Sequence, residues 1–370
     1  MKVAVLGAGH GGQAIAGDLT LAGHEVRLAS TPDHATNIDL LKAFGGIVVE
    51  GITSSGVKPG FAKIALITTD VAEAIRDARV IFVVIPAFGQ ETFMKIMVQH
   101  ATPGQIIVFQ PGYHASLVFA RMLREAGREG ELIFGDTLSL IFAAKTKGLG
   151  HVNIKAMKSE LPFAALPSIQ TAQALWVLSE VYPQLSPACS VLQTLDSVGA
   201  ILHPVTTLLN MSKIEQNGPY RTSHYDMSPS VGRVMEAVDR EKMKITKELG
   251  MENFSYQETV YTIYKVKAPT IYEQEMQVAA HNVQMTPGDL KHRYVTESVP
   301  YGLVPLAEFG KLLGIKTPNI DAIINLACMA NGENYWEMGR NLSTLGIDHM
   351  SLQEIAEYIT FLKRPDGNSS

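Results

Sequence analysis

Residues 1–12, MKVAVLGAGHGG, decide the fold class of this chain. A short aliphatic run ends in glycines at positions Gly7, Gly9 and Gly12, and residues 13–19 then carry apolar side chains at helical spacing. In a strand–turn–helix of this kind the first glycine permits the tight turn and the second lets a pyrophosphate approach the backbone. The third allows the helix to pack closely on the strand. At a strand-to-helix junction, the G-x-G-x-x-G pattern indicates a dinucleotide-binding domain.

Length, composition and charge describe an ordinary globular protein. A chain of 370 residues exceeds the size at which one core keeps growing, so we expect two domains. The net charge of −5 argues against nucleic acid or an anionic membrane as the main partner. The longest apolar stretch, 78–88, is far shorter than the roughly 18 residues that span a bilayer. We therefore expect a cytoplasmic protein without membrane contact.

The cysteine content indicates a reducing environment and no structural metal. Cys189 and Cys328 are the two cysteines of the chain. They are too few for a disulfide framework, and their positions lack the spacing of metal ligands. Both lie in apolar or helical surroundings, so we expect buried thiols.

Strand and helix patterns alternate through the first half. The patterns predict strands at 24–30, 80–85, 105–109 and 131–135, with helices at 70–79, 91–100 and 116–126. This alternation predicts an α/β domain of the Rossmann type, a doubly wound parallel sheet whose third strand is 80–85. Ligands bind such sheets beyond the carboxyl ends of the strands. The loops 86–90 and 110–114 are therefore expected beside a cofactor, or else are ordinary connections; their candidate contacts are Pro86, Pro111 and Gly112.

A change of pattern separates the two halves. Short strands at 152–156 and 162–166 and a helix at 168–181 complete the first part, and prolines then mark a connection. Beyond it, helical spacing recurs at 196–214, 229–249, 256–264, 303–313, 319–330 and 352–362. We therefore expect a dinucleotide-binding domain at 1–186 and a mostly α-helical domain at 187–370. The polar tail 364–370 is expected to fray.

The end of the second strand bears on the choice of cofactor. An acidic residue usually accepts the ribose hydroxyls there, but this chain has Ser30 and Thr31. Hydroxyls with the nearby Arg27 favour NADP slightly over NAD, because a carboxylate would repel the 2′-phosphate. Arg27 as a solvated strand residue and Asp33 as the missing acid remain alternatives. The other expected cofactor contacts are Gly7, Gly9, His10, Gly11 and Gly12.

Three segments of the second half suggest chemistry. His203 interrupts an apolar helical run directly before a proline, which predicts a bend that aims the imidazole into a cleft; a core histidine is the alternative. The second segment, 225–232, reads YDMSPSVG and starts a capped helix. The third, RYVTESVPYGLVPL, begins with Arg293 and Glu297 at i,i+4 spacing, which also fits a structural ion pair on a solvated face.

Together these segments resemble the opine dehydrogenase family, which includes octopine, nopaline and N-(1-carboxyethyl)norvaline dehydrogenases. The likeness covers nearly the whole chain. The motifs that carry it are the glycine loop, Pro111-Gly112, His203-Pro204, TLLN at 207–210, PSVG at 229–232, TIYE at 270–273, Arg293-Tyr294 and GLVP at 302–305.

The resemblance implies a reaction and roles for the residues. Members of the family condense the amine of an amino acid with the carbonyl of a 2-oxo acid and reduce the imine with a nicotinamide hydride. His203 is then the general acid–base, and Arg293 holds a substrate carboxylate. Asn210 and Ser298 are further candidate substrate contacts, although Asn210 also suits a helix cap or a bridge between helices. The resemblance also implies that the helical domain at 187–370 serves substrate binding and dimerisation, so that the protein is a homodimer.

One position departs from the family pattern. The resemblance places an aspartate, partner of the catalytic histidine, where this chain has Ser298. Glu297 supplies the carboxylate from the adjacent position, or Ser298 makes a weaker hydrogen bond, or the reaction has drifted. Without a carboxylate partner the pKa of His203 should fall.

Two other functions are compatible with the sequence. The first is a ketone reductase of the 2-dehydropantoate reductase type, which would use a lysine such as Lys213. The second is a non-catalytic regulator that binds a nicotinamide cofactor. Loss of turnover in Lys213→Ala rather than His203→Ala would indicate the ketone reductase, and cofactor binding without oxidation would indicate the regulator.

Overall fold

The computed structural model describes residues 1–54, 56–282 and 284–363, which form two compact units. The first unit begins at Met1 and runs to Thr194, and the chain returns to it at Met350. The second unit is Leu195–His349. The division therefore differs from the boundary expected at 186, and the C-terminal helix lies in the first unit because it packs on the strand Leu161–Leu166 and on the 3-10 turn Ser168–Gln170. The tail 364–370 lies outside the described residues.

The first unit alternates strands and helices. Its strands are β1 Lys2–Leu6, β2 Glu25–Ala29, β3 Ile47–Gly51, β4 Gly60–Ala62, β5 Leu66–Thr68, β6 Val80–Val83, β7 Ile106–Phe109, β8 Ile133–Thr137, β9 Phe142–Gly148, β10 His151–Met157, β11 Leu161–Leu166 and β12 Leu185–Pro187. Its helices are α1 His10–Leu21, α2 Ala35–Phe44, α3 Val71–Ile75, α4 Gln90–His100, α5 Ala115–Glu125, α6 Thr171–Leu178 and, after the second unit, α16 Leu352–Phe361.

The main sheet has the expected Rossmann-type organisation. Its eight strands follow the order β12-β11-β8-β7-β6-β1-β2-β5. The six strands from β8 to β5 are parallel, whereas β11 pairs antiparallel with β8. The order reverses at β1, which lies between β2 and β6, and such a reversal marks the ligand-binding edge. Strands β6 and β7 are buried along their whole length, which explains their uninterrupted apolar sequences.

The sequence analysis missed three strands between β2 and β6. These are β3, β4 and β5, so the segment at 80–85 is not the third strand. Strands β4 and β5 span three residues each and are too short to show a clear alternation. Strands β3 and β4 join β9 and β10 in a second sheet of four strands. This sheet packs closely on α1, since a Cβ at Gly17 would lie 2.4 Å from the Val49 side chain.

The second unit is mostly helical, as the sequence predicts. Its helices are α7 Val198–Leu209, α8 Met211–Asn217, α9 Pro229–Glu248, α10 Tyr256–Tyr264, α11 Ile271–Glu275, α12 Arg293–Thr296, α13 Val304–Leu312, α14 Pro318–Asn331 and α15 Tyr335–Met338. A π-helical turn, Val299–Leu303, leads into α13, and β13 Arg221–Thr222 pairs with β14 Gln284–Met285.

Membrane and metal features can be stated for the described part of the chain. None of its helices combines the length and apolarity needed to cross a bilayer. Within the same residues, no group of three or more His, Cys, Asp or Glu side chains could hold a metal ion. The expectation of buried thiols is wrong for Cys189, which is exposed, and Cys328 is only partly buried.

Candidate active site

The glycine loop lies between β1 and α1 and has the space that a pyrophosphate needs. Gly7 has φ +107°, a conformation that favours glycine. A Cβ at Gly12 would lie 1.7 Å from the Gly7 carbonyl oxygen, so α1 can approach β1 only without a side chain there. A Cβ at Gly9 would meet nothing within 4 Å, and Gly9 provides no side-chain cap for α1. The first-turn amides of α1 can therefore receive an anion.

His10 and Gly11, the other loop residues expected at the cofactor, also have structural contacts. The Nδ1 atom of His10 accepts a hydrogen bond of 3.1 Å from the backbone N–H of Thr146, which lies on β9. A Cβ at Gly11 would lie 3.1 Å from the side chain of Leu140. These contacts fix the start of α1 against the segment that follows β8.

At the end of β2, Ser30 and Thr31 are both buried. The Thr31 hydroxyl lies 3.3 Å from the Nδ1 atom of His34. Arg27 does not take part, because its guanidinium pairs with Glu25 at 3.1 Å and donates to the carbonyl of Arg76. Arg27 held in this way gives no support to NADP, and of the groups expected at this position the hydroxyls of Ser30 and Thr31 remain.

The two predicted cofactor loops are joined. The loop after β6 starts at Pro86, which precedes a 3-10 turn, Ala87–Gly89. The side chain of Gln90 donates a hydrogen bond of 2.9 Å to the Pro111 carbonyl oxygen in the loop after β7. Gly112 is required there, because a Cβ would lie 2.4 Å from the Asp136 side chain. Both loops follow parallel strands and lie at the ligand-binding edge.

In the second unit, His203 lies on α7 and has two ring contacts. Its Nδ1 atom is 3.3 Å from the Ser298 hydroxyl oxygen, and its ring stacks on Tyr294 with centroids 4.0 Å apart. A Cβ at Gly199, one turn earlier on α7, would lie 3.1 Å from the imidazole, so the glycine makes room for the ring. Helix α7 continues through Pro204 to Leu209, so the expected bend does not interrupt it.

The electrostatic environment keeps the His203 imidazole neutral. Burial lowers the pKa of His203 to about 3, and the positive charge of Arg293 acts in the same direction. Smaller contributions come from His292 and His281. The side chain retains some solvent exposure, so the ring is enclosed without being sealed. The hydrogen bond between His203 and Ser298 corresponds to one of the alternatives for the missing aspartate.

Arg293 and Glu297 form the i,i+4 ion pair that the spacing allows. The Nε atom of Arg293 lies 3.0 Å from a Glu297 carboxylate oxygen. The two side chains differ in exposure: that of Glu297 is only 1% exposed, whereas that of Arg293 is 44% exposed. The pair therefore does not lie on a fully solvated face. The pair therefore holds a buried carboxylate under an accessible guanidinium.

A small pocket of the second unit lies beside this cluster. Asn210, Tyr225 and Tyr294 contribute to its lining, and the Tyr225 and Tyr294 hydroxyls are hydrogen-bonded. Asn210 directly follows α7, and its side chain donates a hydrogen bond of 2.9 Å to the Thr206 carbonyl oxygen of the same helix, which matches the helix-capping alternative.

The sequence analysis assigned no role to the two tyrosines. Tyr225 has φ +58° between two other non-glycine residues of positive φ. Only the fold identifies them: Tyr294 stacks on His203, and Tyr225 lines the same pocket as Tyr294.

Lys213, the lysine of the ketone-reductase alternative, is engaged elsewhere. Its Nζ atom lies 2.6 Å from Asp226 and 4.7 Å from the Tyr220 ring centroid. Its side chain is half exposed, and the hydrogen bond to Asp226 raises its pKa. A lysine in this state is a poor proton donor.

Each of the two units matches a family model of nicotinamide-dependent oxidoreductases. Residues 187–331 match the family model described as NAD/NADP octopine/nopaline dehydrogenase, alpha-helical domain. Residues 2–108 match the model described as NADP oxidoreductase, coenzyme F420-dependent.

Relatives and solved structures match over almost the full length. An opine dehydrogenase of Arthrobacter sp. (strain 1C) is 35% identical over 353 residues, covering 94% of this chain and 96% of the relative. The solved octopine dehydrogenase with NADH and L-arginine has a TM-score of 0.78 at 18% identity, covering 96% of this chain and 98% of that one. Yersinopine dehydrogenase with NADP⁺ has a TM-score of 0.69 at 17% identity, covering 97% and 98%. The chain therefore belongs to the opine dehydrogenase family and is an NAD(P)-dependent oxidoreductase that acts on CH–NH bonds.

Proposed function

We propose that this protein condenses the amine of an amino acid, or another amine, with a 2-oxo acid and reduces the resulting imine to a secondary amine. The observation that carries the assignment is the grouping of His203, Ser298 and Arg293 in the helical unit of a chain that also has an open glycine loop. Bound NAD(P)H supplies the hydride, and the protein supplies binding, orientation and proton transfer.

His203 is the proton-transfer group of this proposal. Because its pKa lies near 3, the imidazole is neutral at physiological pH and can take a proton from the attacking amine. The same proton can then be returned to the departing water. The Ser298 hydroxyl both donates and accepts, so it accommodates either imidazole tautomer, whereas an aspartate would fix the proton on Nδ1.

Arg293 is the carboxylate ligand. Its Nε–H is used by Glu297, and no other carboxylate of the described residues lies within 4 Å of the guanidinium. The terminal amino groups are thus suited to a bidentate contact with a substrate carboxylate. Asn210 and Tyr225, which line the adjacent pocket, would contact the rest of the substrate.

The cofactor preference is a finer part of the proposal. The glycine loop suits the pyrophosphate of either cofactor. We assign NADP a slight advantage, supported by the Ser30 and Thr31 hydroxyls and by the nearby His34. A higher kcat/KM with NADPH than with NADH is the expected result. The homodimer implied by the resemblance belongs to the same proposal, and equilibrium sedimentation measures it.

A cofactor-oxidation screen tests the function. NADPH and NADH are offered separately with pyruvate and a panel of amino acids and amines, and absorbance reports loss of the reduced cofactor. We expect oxidation that requires both organic substrates and disappears in His203→Ala but persists in Lys213→Ala. Oxidation with pyruvate alone would instead support a ketone reductase, and cofactor binding without any oxidation would support a regulator.

A further inference from the structure

Lys158 is a half-buried cation in the first unit that the proposed chemistry has not used. It follows β10, and its backbone N–H donates to the carbonyl oxygen of Ile141 just before β9. Its Nζ atom donates to the hydroxyl of Ser139. Ser139 lies in the loop that leaves β8, and β8 is parallel to β7, so this loop is at the ligand-binding edge of the main sheet.

The ammonium has a hydroxyl partner but no counter-charge. No carboxylate in the described part of the chain lies within 4 Å of its Nζ atom. By contrast, Lys242, which is almost completely buried, is paired with two aspartates. Burial alone lowers the pKa of Lys158 to about 8, so most of the side chains still carry a charge at neutral pH. Buried charges in proteins are normally paired, and here an incoming anion would supply the pair.

The loop that carries Ser139 lies beside the start of α1 and is connected through Thr137 to the loop after β7. A Cβ at Gly11 would lie 3.0 Å from the Val84 side chain and 3.1 Å from the Leu140 side chain. Leu140 belongs to the loop that carries Ser139, so this loop packs against the start of α1. The N–H of Gly112 donates 2.9 Å to the Thr137 carbonyl oxygen, and the Thr137 hydroxyl donates 2.9 Å to the Ser139 carbonyl oxygen. The Ser139–Lys158 pair is thus held beside the second mononucleotide half of the sheet, next to β7 and β8.

We propose that Ser139 and Lys158 bind the carboxylate of the 2-oxo acid substrate on the cofactor-binding unit. The assignment rests on the proposed function. A cofactor phosphate would present the same anionic oxygens. However, the glycine loop and the N-terminus of α1 already serve the pyrophosphate. One ammonium and one hydroxyl also match the two oxygens of a single carboxylate.

Binding of oxamate, a pyruvate analogue that is not reduced, tests the pair without turnover. Calorimetry gives its Kd for the complex with NADH, and fluorescence titration gives the Kd of the reduced cofactor alone. We expect Lys158→Gln to weaken oxamate binding about tenfold or more, as loss of a charged hydrogen bond does. Ser139→Ala should weaken it by a smaller factor, and both variants should bind the reduced cofactor normally. Lys155→Gln, an exposed neighbour on β10, is the matched control.

The other outcomes contradict the assignment. Weaker cofactor binding with unchanged oxamate binding would mean that the pair serves a cofactor phosphate. Unchanged Kd values for both would mean that the ammonium binds no ligand. If circular dichroism shows that Lys158→Gln does not fold, the oxamate Kd of the conservative variant Ser139→Ala tests the assignment instead. The enzyme could also bind oxamate in a way that depends on Lys158 and yet be inactive with every amine. That result would support the carboxylate site and contradict the proposed function.

Discussion

The imidazole of His203 contacts the ring of Tyr294 and the hydroxyl of Ser298, and its burial there keeps it neutral. Burial and the positive charge of Arg293 disfavour the charged form, and a hydroxyl offers it little compensation. An opine dehydrogenase with serine at this position should therefore work with a neutral imidazole over a wide pH range. The chemistry of one residue thus depends on which group lies 3.3 Å from one nitrogen atom.

Substitution of Ser298 tests this dependence. Ser298→Ala removes the hydrogen bond and should lower kcat about twofold to tenfold without changing cofactor affinity. Ser298→Asp adds a carboxylate that favours the imidazolium, so the pKa of His203 should rise from about 3 and the acid limb of kcat/KM should move to higher pH. Ser230→Ala, at an exposed serine of α9, is the control. A pH profile of Ser298→Asp identical to that of the wild type would contradict the role.

The same pKa shift affects stability. The folded-state pKa of His203 is about 3 and its ordinary value is 6.5, so the unfolded chain binds more protons between these pH values. Stability conferred by the neutral ring is complete above pH 6.5 and is lost as the pH falls towards 3. His203→Gln should therefore flatten the decline in unfolding free energy between pH 6 and pH 4, measured in urea at about ten pH values. An equally steep decline in the variant would show that other groups cause it.

At the scale of elements, the glycine loop contains one glycine that the fold requires and one that leaves space for the cofactor. Gly12 is needed for α1 to pack on β1, whereas Gly9 has only open space beside it. The two glycines are equivalent in the sequence motif, but their surroundings in the structure differ. The loop therefore allows a direct comparison between a structural and a ligand-binding glycine.

Alanine substitution at each position should give opposite results. Gly12→Ala forces a Cβ into the Gly7 carbonyl and should lower the free energy of unfolding by about 1–3 kcal/mol or more. Gly9→Ala has a compatible negative φ, so its stability should stay within about 0.5 kcal/mol of the wild type while its affinity for NADPH falls. Urea unfolding and fluorescence titration measure the two effects. Equal loss of stability in both variants would be inconsistent with the open space at Gly9.

A buried ion cluster fixes α9 to the start of the helical unit. Lys242 is 2% exposed and pairs with Asp196 at 2.5 Å and with Asp239 at 3.1 Å. It also donates 2.6 Å to the Phe254 carbonyl oxygen. Removing one member of such a cluster leaves an uncompensated buried charge.

Lys242→Met should therefore lower the unfolding free energy by about 3–5 kcal/mol. Lys244→Met, an exposed lysine on the same helix, should change it by less than about 0.5 kcal/mol. Denaturant titration gives both values. The double variant Asp196→Asn/Lys242→Met should recover part of the loss, and failure to recover any would mean that packing rather than charge is responsible.

At the scale of the whole molecule, the chain leaves the cofactor-binding unit at Thr194 and returns to it at Met350. The returning helix α16 places Ile355, Tyr358 and Ile359 in the core of that unit. The Tyr358 hydroxyl lies 3.4 Å from both Arg124 and Glu129. The first unit is therefore complete only after the second has been synthesised.

This connectivity predicts which unit responds to a change in α16. Ile355→Ala should destabilise the first unit by about 2–5 kcal/mol, because it leaves a cavity in its core. Hydrogen exchange should quicken in β11 and α6 while α9 and α14 keep their protection. Gln353→Ala, exposed on the same helix, is the control. Faster exchange confined to α9 and α14 would mean that α16 stabilises the second unit instead of the first.

The sequence by itself determined the Rossmann-type sheet, the helical second half and the identity of the active-site candidates. Strand β1, the glycine loop and α1 are contiguous, and their local pattern encodes both conformation and packing. The catalytic candidates His203 and Arg293 followed from motifs that resemble a known family. Strands β4 and β5 escaped notice because three residues are too few for a periodic signal.

Only the tertiary structure decided which residues act together. His203 and Ser298 are separated by 95 positions, and their hydrogen bond depends on how α7 packs beside the π-helical turn. The commitment of Arg27 to Glu25, and the meeting of Ser139 with Lys158, likewise follow from packing rather than from local pattern. Long-range contacts of this kind have no local sequence signature, because each partner satisfies its own element's pattern equally well with or without the other.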